Sequence, residues 1–179
     1  RNDRNEEADI YRGTRLLMHQ PYSARLYPLD GVSFHGKVCY NREASMDRME
    51  RPDGQELRLT EDAGNILWIR PCVGMTYPQA GPQVRAVLHD SYHSGTIAVN
   101  AGLEEFAGRM EQAGIPVYLT GASSGEAEYE TVRMYEQYGI RVLPKMSLIA
   151  AYCKLWLALS NDLDVNSIMN TCIAEDIIQ

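Results

Sequence analysis

Four short apolar runs, separated by helical patterns, constrain the fold of this chain more than any other feature. The runs are NILWIRP (65–71), RAVLHDS (85–91), IPVYLTG (115–121) and GIRVLP (139–144). Runs of this length, bounded by proline, glycine or polar residues, predict buried strands. Strands that alternate with helices pair in parallel. We therefore expect an α/β fold, a small, open, mainly parallel four-stranded sheet flanked by helices.

Helical patterns lie between and after these runs. The pattern at 100–114 carries one apolar stripe and ends at a glycine. The members of that stripe are Leu103, Phe106, Ala107 and Met110. A less regular stripe at 126–139 predicts a second helix. The segment 147–160 is apolar almost all round, which predicts a helix packed on two sides with Cys153 buried, and 165–179 predicts a last surface helix.

The first 60 residues show little regular pattern and predict an irregular or β linker ahead of an α/β domain at 61–179. Alternation at 32–40 predicts one strand, and a Pro-Asp-Gly turn followed by 56–60 predicts another. The charged stretch between them predicts a mobile linker. The chain begins with the charged residues RNDRNEEAD, which do not form a signal peptide. We interpret it as a piece of a longer chain.

Composition and charge argue against several functional classes. A net charge of −7, with 17 basic residues scattered among 24 acidic ones, argues against a nucleic-acid partner, which requires clustered cations. The cysteines form no CxxC or CxxH spacing, so neither zinc nor a redox pair is expected. No run of 18 apolar residues predicts a membrane span. We expect a reduced, cytoplasmic protein without a metal or cofactor.

The polar ends of two predicted strands are the candidate functional region. The stretches HDSYHSGT (89–96) and TGASSGE (120–126) follow the second and third strands. In open parallel sheets, ligands bind outside the carboxyl ends of the strands. Both stretches are rich in small polar residues, as a ligand-facing edge requires.

The first of these stretches contains the residue types of two catalytic sites. Asp90, His93 and Ser94 would supply a hydrolytic triad, but neighbours on one loop rarely meet its geometry, and the chain has no GxSxG elbow. His89, Asp90 and His93 would supply metal ligands, but no further ligand is clustered with them. Neither interpretation is favoured over a hydrogen-bonded loop.

Five stretches together resemble one family. IYRGTR (10–15) is similar to a conserved hRGTR motif, and ILWIRPCVGM (66–75) to the strand that leads into PGM. RAVLHDSYHSGT (85–96) is similar to gvVlrsYGxGN, and 117–140 to vvxtSqcxxGxvxxxxYxxGxxLxxxGv with three residues fewer before Tyr129. MSLIAAYCKLWLAL (146–159) is similar to MtxEaAxxKLxwlL. In this order the motifs resemble the L-asparaginase family, particularly its cytosolic type and the D subunit of archaeal glutamyl-tRNA amidotransferase.

The resemblance implies a protein built from a large N-terminal domain, a linker and a small C-terminal α/β domain. Residues 1–60 would then be the end of the missing N-terminal domain and the linker, and 61–179 the C-terminal domain. The family's two catalytic threonines and its Asp-Lys pair belong to the missing domain, so no catalytic residue is expected in this chain. The implied reaction is hydrolysis of a side-chain amide, such as that of L-asparagine, with release of ammonia. The implied assembly is a homodimer or tetramer formed through the missing domain.

The same resemblance implies which residues contact the substrate. In the family, the loop after the second strand lends an asparagine to the substrate pocket of the neighbouring subunit, and Thr96 takes that position here. His93 and Ser94 replace a glycine and a variable residue. The expected substrate-binding residues are therefore His93, Ser94, Gly95 and Thr96.

Two further pairs of residues bear on ligand binding. Ser123 and Ser124 are weaker candidates, because ASSG also suits a plain turn. Asp90 and Ala122 stand where the cytosolic enzymes have the arginine and cysteine of an effector pocket, so effector control is not expected. The alternative to an amidohydrolase is a non-catalytic module of the same fold that binds a small ligand or a partner subunit.

Overall fold

The computed structural model describes residues 7–17, 27–29, 34–37, 57–61, 65–121, 130–174 and 176–177. Its strands are β1 (Glu7–Ile10), β2 (Leu16–Leu17), β3 (Tyr27–Pro28), β4 (Phe34–Lys37), β5 (Ile66–Ile69), β6 (Ala86–His89), β7 (Val117–Leu119) and β8 (Ile140–Val142). Its helices are α1 (Ala101–Gln112), α2 (Glu130–Gln137), α3 (Leu148–Ser160) and α4 (Val165–Asn170), with a short 3₁₀ helix at Gly13–Arg15.

The four predicted apolar runs form one parallel sheet. Its strand order is β5-β6-β7-β8, and each neighbouring pair is parallel. In this register Val87 lies opposite both Leu67 and Val117. The predicted α/β class and all four strands are confirmed. Because every strand runs in the same direction, their carboxyl ends meet along one edge.

The sheet buries both of its faces, as expected for a parallel sheet. Successive residues of a strand point to opposite faces, so Val87 and Leu88 enter different cores. Val87 belongs to the cluster that contains Phe106 of α1, and Leu88 to the cluster that contains Leu155 of α3. The molecule therefore has helices α1 and α2 on one face of the sheet and α3 and α4 on the other.

The predicted helix ends follow from local chemistry. The Asn100 side chain accepts the N–H of Leu103 at 3.0 Å and caps the start of α1. Gly114, in the left-handed region with φ +67°, follows its end. The predicted stripe of α1 is buried over all four residues. In α2, Tyr135 is buried, whereas Tyr129 lies outside the described residues.

One prediction about the C-terminal helices is wrong, and another is confirmed over only part of its range. Cys153 is exposed instead of buried, because it lies on the part of the α3 surface that β6, α4, β2 and the 3₁₀ helix leave uncovered. The last predicted helix ends at Asn170, well before residue 179. Its final residue is followed by Thr171, whose extended backbone leaves the helix.

The strand predicted at 56–60 is also wrong over its described residues. Residues 57–60 have no strand pairing and instead contact the end of α3. The backbone N–H of Arg58 donates to Asn161 Oδ1 at 3.0 Å, and Asn161 Nδ2 donates to the Arg58 carbonyl at 2.8 Å. Trp156 Nε1 donates to Thr60 Oγ1 at 3.0 Å. The side chain of Asn161, the C-cap residue of α3, thus satisfies the backbone groups of Arg58 that a strand partner would have satisfied.

The N-terminal residues form two small antiparallel pairs. β1 pairs with β4 and β2 with β3, so the strand predicted at 32–40 is confirmed over Phe34–Lys37. The 3₁₀ helix reaches the α/β part of the chain, since Ser147 Oγ donates to the Thr14 carbonyl at 3.3 Å. The charged stretch predicted as a mobile linker lies outside the described residues. No described helix has the length and apolar character that crossing a membrane requires.

Candidate functional site

The strand ends bring two polar loops together at the carboxyl edge of the sheet. The N–H of Asp90 donates to the Ile69 carbonyl at 2.8 Å, and that of Thr120 donates to the His89 carbonyl at 2.9 Å. These bonds extend the parallel pairing by one residue and fix where both loops begin. The predicted location of the two loops is therefore confirmed for their described residues. Ala122, Ser123 and Ser124 lie outside those residues.

The four predicted substrate-binding residues form one tight turn at this edge. The N–H of Gly95 donates to the Tyr92 carbonyl at 2.8 Å, and the N–H of Tyr92 donates to the Thr96 carbonyl at the same distance. Gly95 has a φ of +75°, a conformation that only glycine adopts without strain. His93 and Ser94 are exposed, and Thr96 is half-buried. We refer to residues 91–96 as the polar turn.

The polar turn presents a pair of hydroxyl groups. Ser94 Oγ and Thr96 Oγ1 are 2.9 Å apart, so one hydroxyl donates to the other. The accepting hydroxyl keeps its own proton, and both oxygens keep lone pairs. The pair can therefore donate one hydrogen bond to a ligand and also accept one. This is the combination that a carboxamide group, with its C=O and NH₂, requires.

Asp90 places a half-buried carboxyl group at the base of the polar turn. Its Oδ1 accepts the N–H of Ser91 at 2.9 Å. Burial raises the pKa of Asp90 above its ordinary value, while the Ser91 N–H, the Arg70 charge and the Thr120 hydroxyl act in the opposite direction. An acidic group here favours a ligand's ammonium or N–H group over a carboxylate.

The loops after β6 and β7 approach each other closely beside Asp90. A Cβ atom added at Gly121 would overlap the hydroxyl of Ser91, and Gly121 also has a φ of +76°. Both the contact and the backbone conformation require glycine at this position. The edge next to Asp90 is therefore tightly packed.

His89 is part of the scaffold beneath the polar turn. It is fully buried, and its Nδ1 lies 2.5 Å from the Asp90 carbonyl oxygen. Because a carbonyl can only accept, Nδ1 carries the proton and Nε2 accepts from the Tyr77 hydroxyl at 3.0 Å. Burial lowers the pKa of His89 despite the opposing bond to Asp90, and burial raises the pKa of Tyr77 to about 12. His89 is thus a neutral residue with both ring nitrogens occupied.

The polar turn does not assemble either of the catalytic sites considered from the sequence. Ser94 Oγ contacts Thr96 instead of His93, and Asp90 contacts Ser91. No group of three His, Cys, Asp or Glu residues within the described segments is placed to hold a metal ion. The arrangement suits binding of a polar ligand, and supplies no nucleophile with an adjacent base.

Two residues that hold this site carry no signal in the sequence. Tyr135 of α2 contacts the backbone of Ile97 directly after the polar turn, and Tyr77 contacts His89. The sequence pattern places Tyr135 only within the apolar stripe at 126–139. The direction of its hydroxyl depends on a partner 38 residues earlier in the chain, which no local pattern indicates.

Two cavities lie away from the polar turn. One, of about 480 Å³, lies between the end of α1 and the start of α4 and includes Tyr118 and Arg141. The other, of about 370 Å³, lies between residues 79–84 and the end of α1. Neither is lined by a residue of the polar turn. Because Ser94 is exposed, its hydroxyl group is accessible to a ligand or to a second surface.

Comparisons with known proteins do not assign the chain to a family. A scan against models of protein families found no match, and a search of the curated proteins found no significant match. The resemblance to L-asparaginases therefore stays a prediction that depends on the five motifs quoted above.

Proposed function

We propose that this chain is the C-terminal domain of an asparaginase-like amidohydrolase, a cytoplasmic homodimer or tetramer in which the polar turn forms one wall of the substrate pocket. One observation carries the proposal. His93, Ser94, Gly95 and Thr96, named from the motif alone, lie in a single turn at the carboxyl edge of a parallel sheet. That edge is where open α/β folds bind ligands.

The chemistry of the turn suits a side-chain amide such as that of L-asparagine. The Ser94–Thr96 hydroxyl pair offers one donor for the amide C=O and acceptors for its NH₂ group. Asp90 adds a carboxyl group that favours the ammonium group of an amino-acid substrate. These contacts would bind and orient the substrate without attacking it.

The bond-breaking step belongs to the N-terminal domain that the resemblance implies. A threonine of that domain would attack the amide carbon, the C–N bond would break, and ammonia would leave. Water would then hydrolyse the acyl-enzyme and regenerate the threonine. The isolated chain would bind one side of the substrate and have no activity alone.

A non-catalytic module of the same fold is the second candidate. The exposure of His93 and Ser94, at positions where the family has a glycine and a variable residue, favours it. Such a turn would bind a small ligand or a partner subunit through the same hydroxyl groups. The difference between the two candidates is whether an amide bond is broken.

The test is ammonia release from L-asparagine and L-glutamine by the complete protein that carries this chain. We expect Thr96→Ala to lower kcat/KM about tenfold, which is the loss of one hydrogen bond of roughly 1.4 kcal/mol. Thr96→Ser should retain most of the activity, because it keeps the hydroxyl group. Thr171→Ala, at an exposed threonine outside the polar turn, should have no effect.

Two outcomes contradict the proposal in different ways. Equal activity of the Thr96→Ala and Thr171→Ala variants would remove the polar turn from the pocket. A folded complete protein that releases ammonia from neither amide would favour the non-catalytic module.

A further inference from the structure

The residues directly before and after the polar turn each contact a buried side chain, His89 and Tyr135. At its start, His89 contacts the Asp90 carbonyl and is itself held by Tyr77. At its end, Ile97 contacts Tyr135. A turn whose tip is exposed is thus attached at both ends to groups in the core.

The contact between Tyr135 and Ile97 is unusual in using one hydroxyl group twice. Tyr135 Oη accepts the N–H of Ile97 at 2.9 Å and donates to the carbonyl of the same residue at 3.1 Å. A residue within a strand normally makes such bonds with the backbone of a neighbouring strand. Here the hydroxyl of Tyr135 satisfies both backbone groups of Ile97 instead.

Burial makes this contact hard to replace. Ile97 is 3% exposed and Tyr135 is fully buried, and both side chains belong to the core beneath α1 and α2. Water does not reach backbone groups at such a position, so an N–H or C=O without a partner there is strongly disfavoured. Without the hydroxyl, the backbone at Ile97 would have to move to find new partners, and the polar turn would move with it.

We propose that Tyr135 is a positioning residue for the polar turn. Its hydroxyl fixes the backbone at Ile97 and so holds the hydroxyl groups of Ser94 and Thr96 in the geometry that meets the ligand. As far as the substrate is concerned, this inference rests on the proposed function. The anchoring itself is a property of the chain and can be measured without any reaction.

Substitution by phenylalanine isolates the hydroxyl group, because the ring stays in the core. The matched control is Tyr118→Phe. Tyr118 is also fully buried, and its hydroxyl contacts Arg141 Nη1 at 3.2 Å on the neighbouring strand β8. Both variants remove one buried tyrosine hydroxyl, and only Tyr135 contacts the end of the polar turn.

The first readout is hydrogen exchange at the backbone amides of Tyr92, Gly95 and Ile97. We expect Tyr135→Phe to raise their exchange rates at least about tenfold, whereas Tyr118→Phe leaves them within about twofold of the original protein. Unchanged rates in Tyr135→Phe, or equal increases in both variants, would overturn the inference.

The second readout is the kinetics of the complete protein. A turn that only binds substrate contributes equally to the ground state and the transition state, so loosening it raises KM and leaves kcat unchanged. We expect Tyr135→Phe to raise KM about fivefold to tenfold with kcat within about twofold, and Tyr118→Phe to change neither. A loss confined to kcat, or equal losses in both variants, would contradict the positioning role. If the complete protein releases no ammonia, the proposed function fails, and the exchange experiment alone decides the role of Tyr135.

Discussion

One histidine in the parallel sheet and one in the N-terminal strands lie in opposite environments. His89 of β6 is fully buried, contacts the Asp90 carbonyl and the Tyr77 hydroxyl, and has a pKa that burial lowers. His35 of β4 is exposed, and its Nδ1 lies 2.6 Å from Asp9 Oδ1. That hydrogen bond raises the pKa of His35. His89 in the sheet is thus buried with a lowered pKa, whereas His35 in the N-terminal strands lies in solvent beside a carboxyl group with a raised pKa.

The largest expected effect on the free energy of unfolding comes from a buried ion pair between α3 and a residue near the C-terminal end of the chain. Lys154 Nζ lies 2.6 Å from Asp176 Oδ2, and these side chains are 3% and 4% exposed. Lys154→Met should lower the free energy of unfolding by about 3–5 kcal/mol, because it leaves a buried carboxylate without its partner. Denaturant unfolding monitored by circular dichroism would measure the loss.

Two control variants sharpen this result. Asp9→Asn removes the exposed partner of His35 and should leave the unfolding midpoint unchanged within error. The double variant Lys154→Met with Asp176→Leu should recover most of the stability, since apolar residues replace both charges. A double variant no more stable than Lys154→Met would show that lost packing, and not the unpaired charge, causes the effect.

The pH dependence of the two histidines should have opposite signs. The folded-state pKa of His89 is lowered, so the unfolded chain binds more protons, and stability falls as the pH drops below the ordinary value of 6.5. The pKa of His35 is raised, so its contribution is fully present below 6.5 and is lost as the pH rises through the folded-state pKa. Titration of the ring C–H signals by nuclear magnetic resonance would separate the two. Both histidines titrating on the same side of 6.5 would break the comparison.

The smallest expected effect is the change in the pKa of His35 when salt is added. The pair of His35 with Asp9 is exposed, so about 1 M NaCl, with a screening length of about 3 Å, should return the pKa of His35 towards its ordinary value. The pKa of His89 should stay low, because burial and not a nearby charge causes its shift. The same titration repeated in salt measures both. Equal changes in the pKa values of the two histidines would show that nearby charges also shift the pKa of His89.

The fold of the sheet region could be predicted from sequence because its signals are local. The run at 65–71 and the stripe of α1 each specify one element through apolar spacing alone. The wrong predictions concern partners that lie far along the chain. Residues 57–60 have the pattern of a strand, but Asn161 at the end of α3 satisfies the backbone of Arg58. Cys153 lies in an apolar segment, but on a side of α3 that stays exposed.

The location of the candidate site could also be predicted, whereas the contact that holds the polar turn in place could not. The carboxyl edge follows from parallel strands, and the tight turn follows from the glycine at 95. The contact of Tyr135 with Ile97 depends on where α2 packs against the sheet. A tyrosine in an apolar stripe predicts a buried ring, and gives no information about the atom that its hydroxyl meets.

The strand order of the sheet has a consequence for how the chain folds. Neighbouring strands in space are also neighbours along the chain, from β5 to β8. Each strand can therefore join the sheet after closure of only the single connection that precedes it, which keeps the loss of chain entropy at each step small. During synthesis, β5 leaves the ribosome before β6, and each later strand meets a partner that is already in place. The sheet can grow in the direction in which the chain is made.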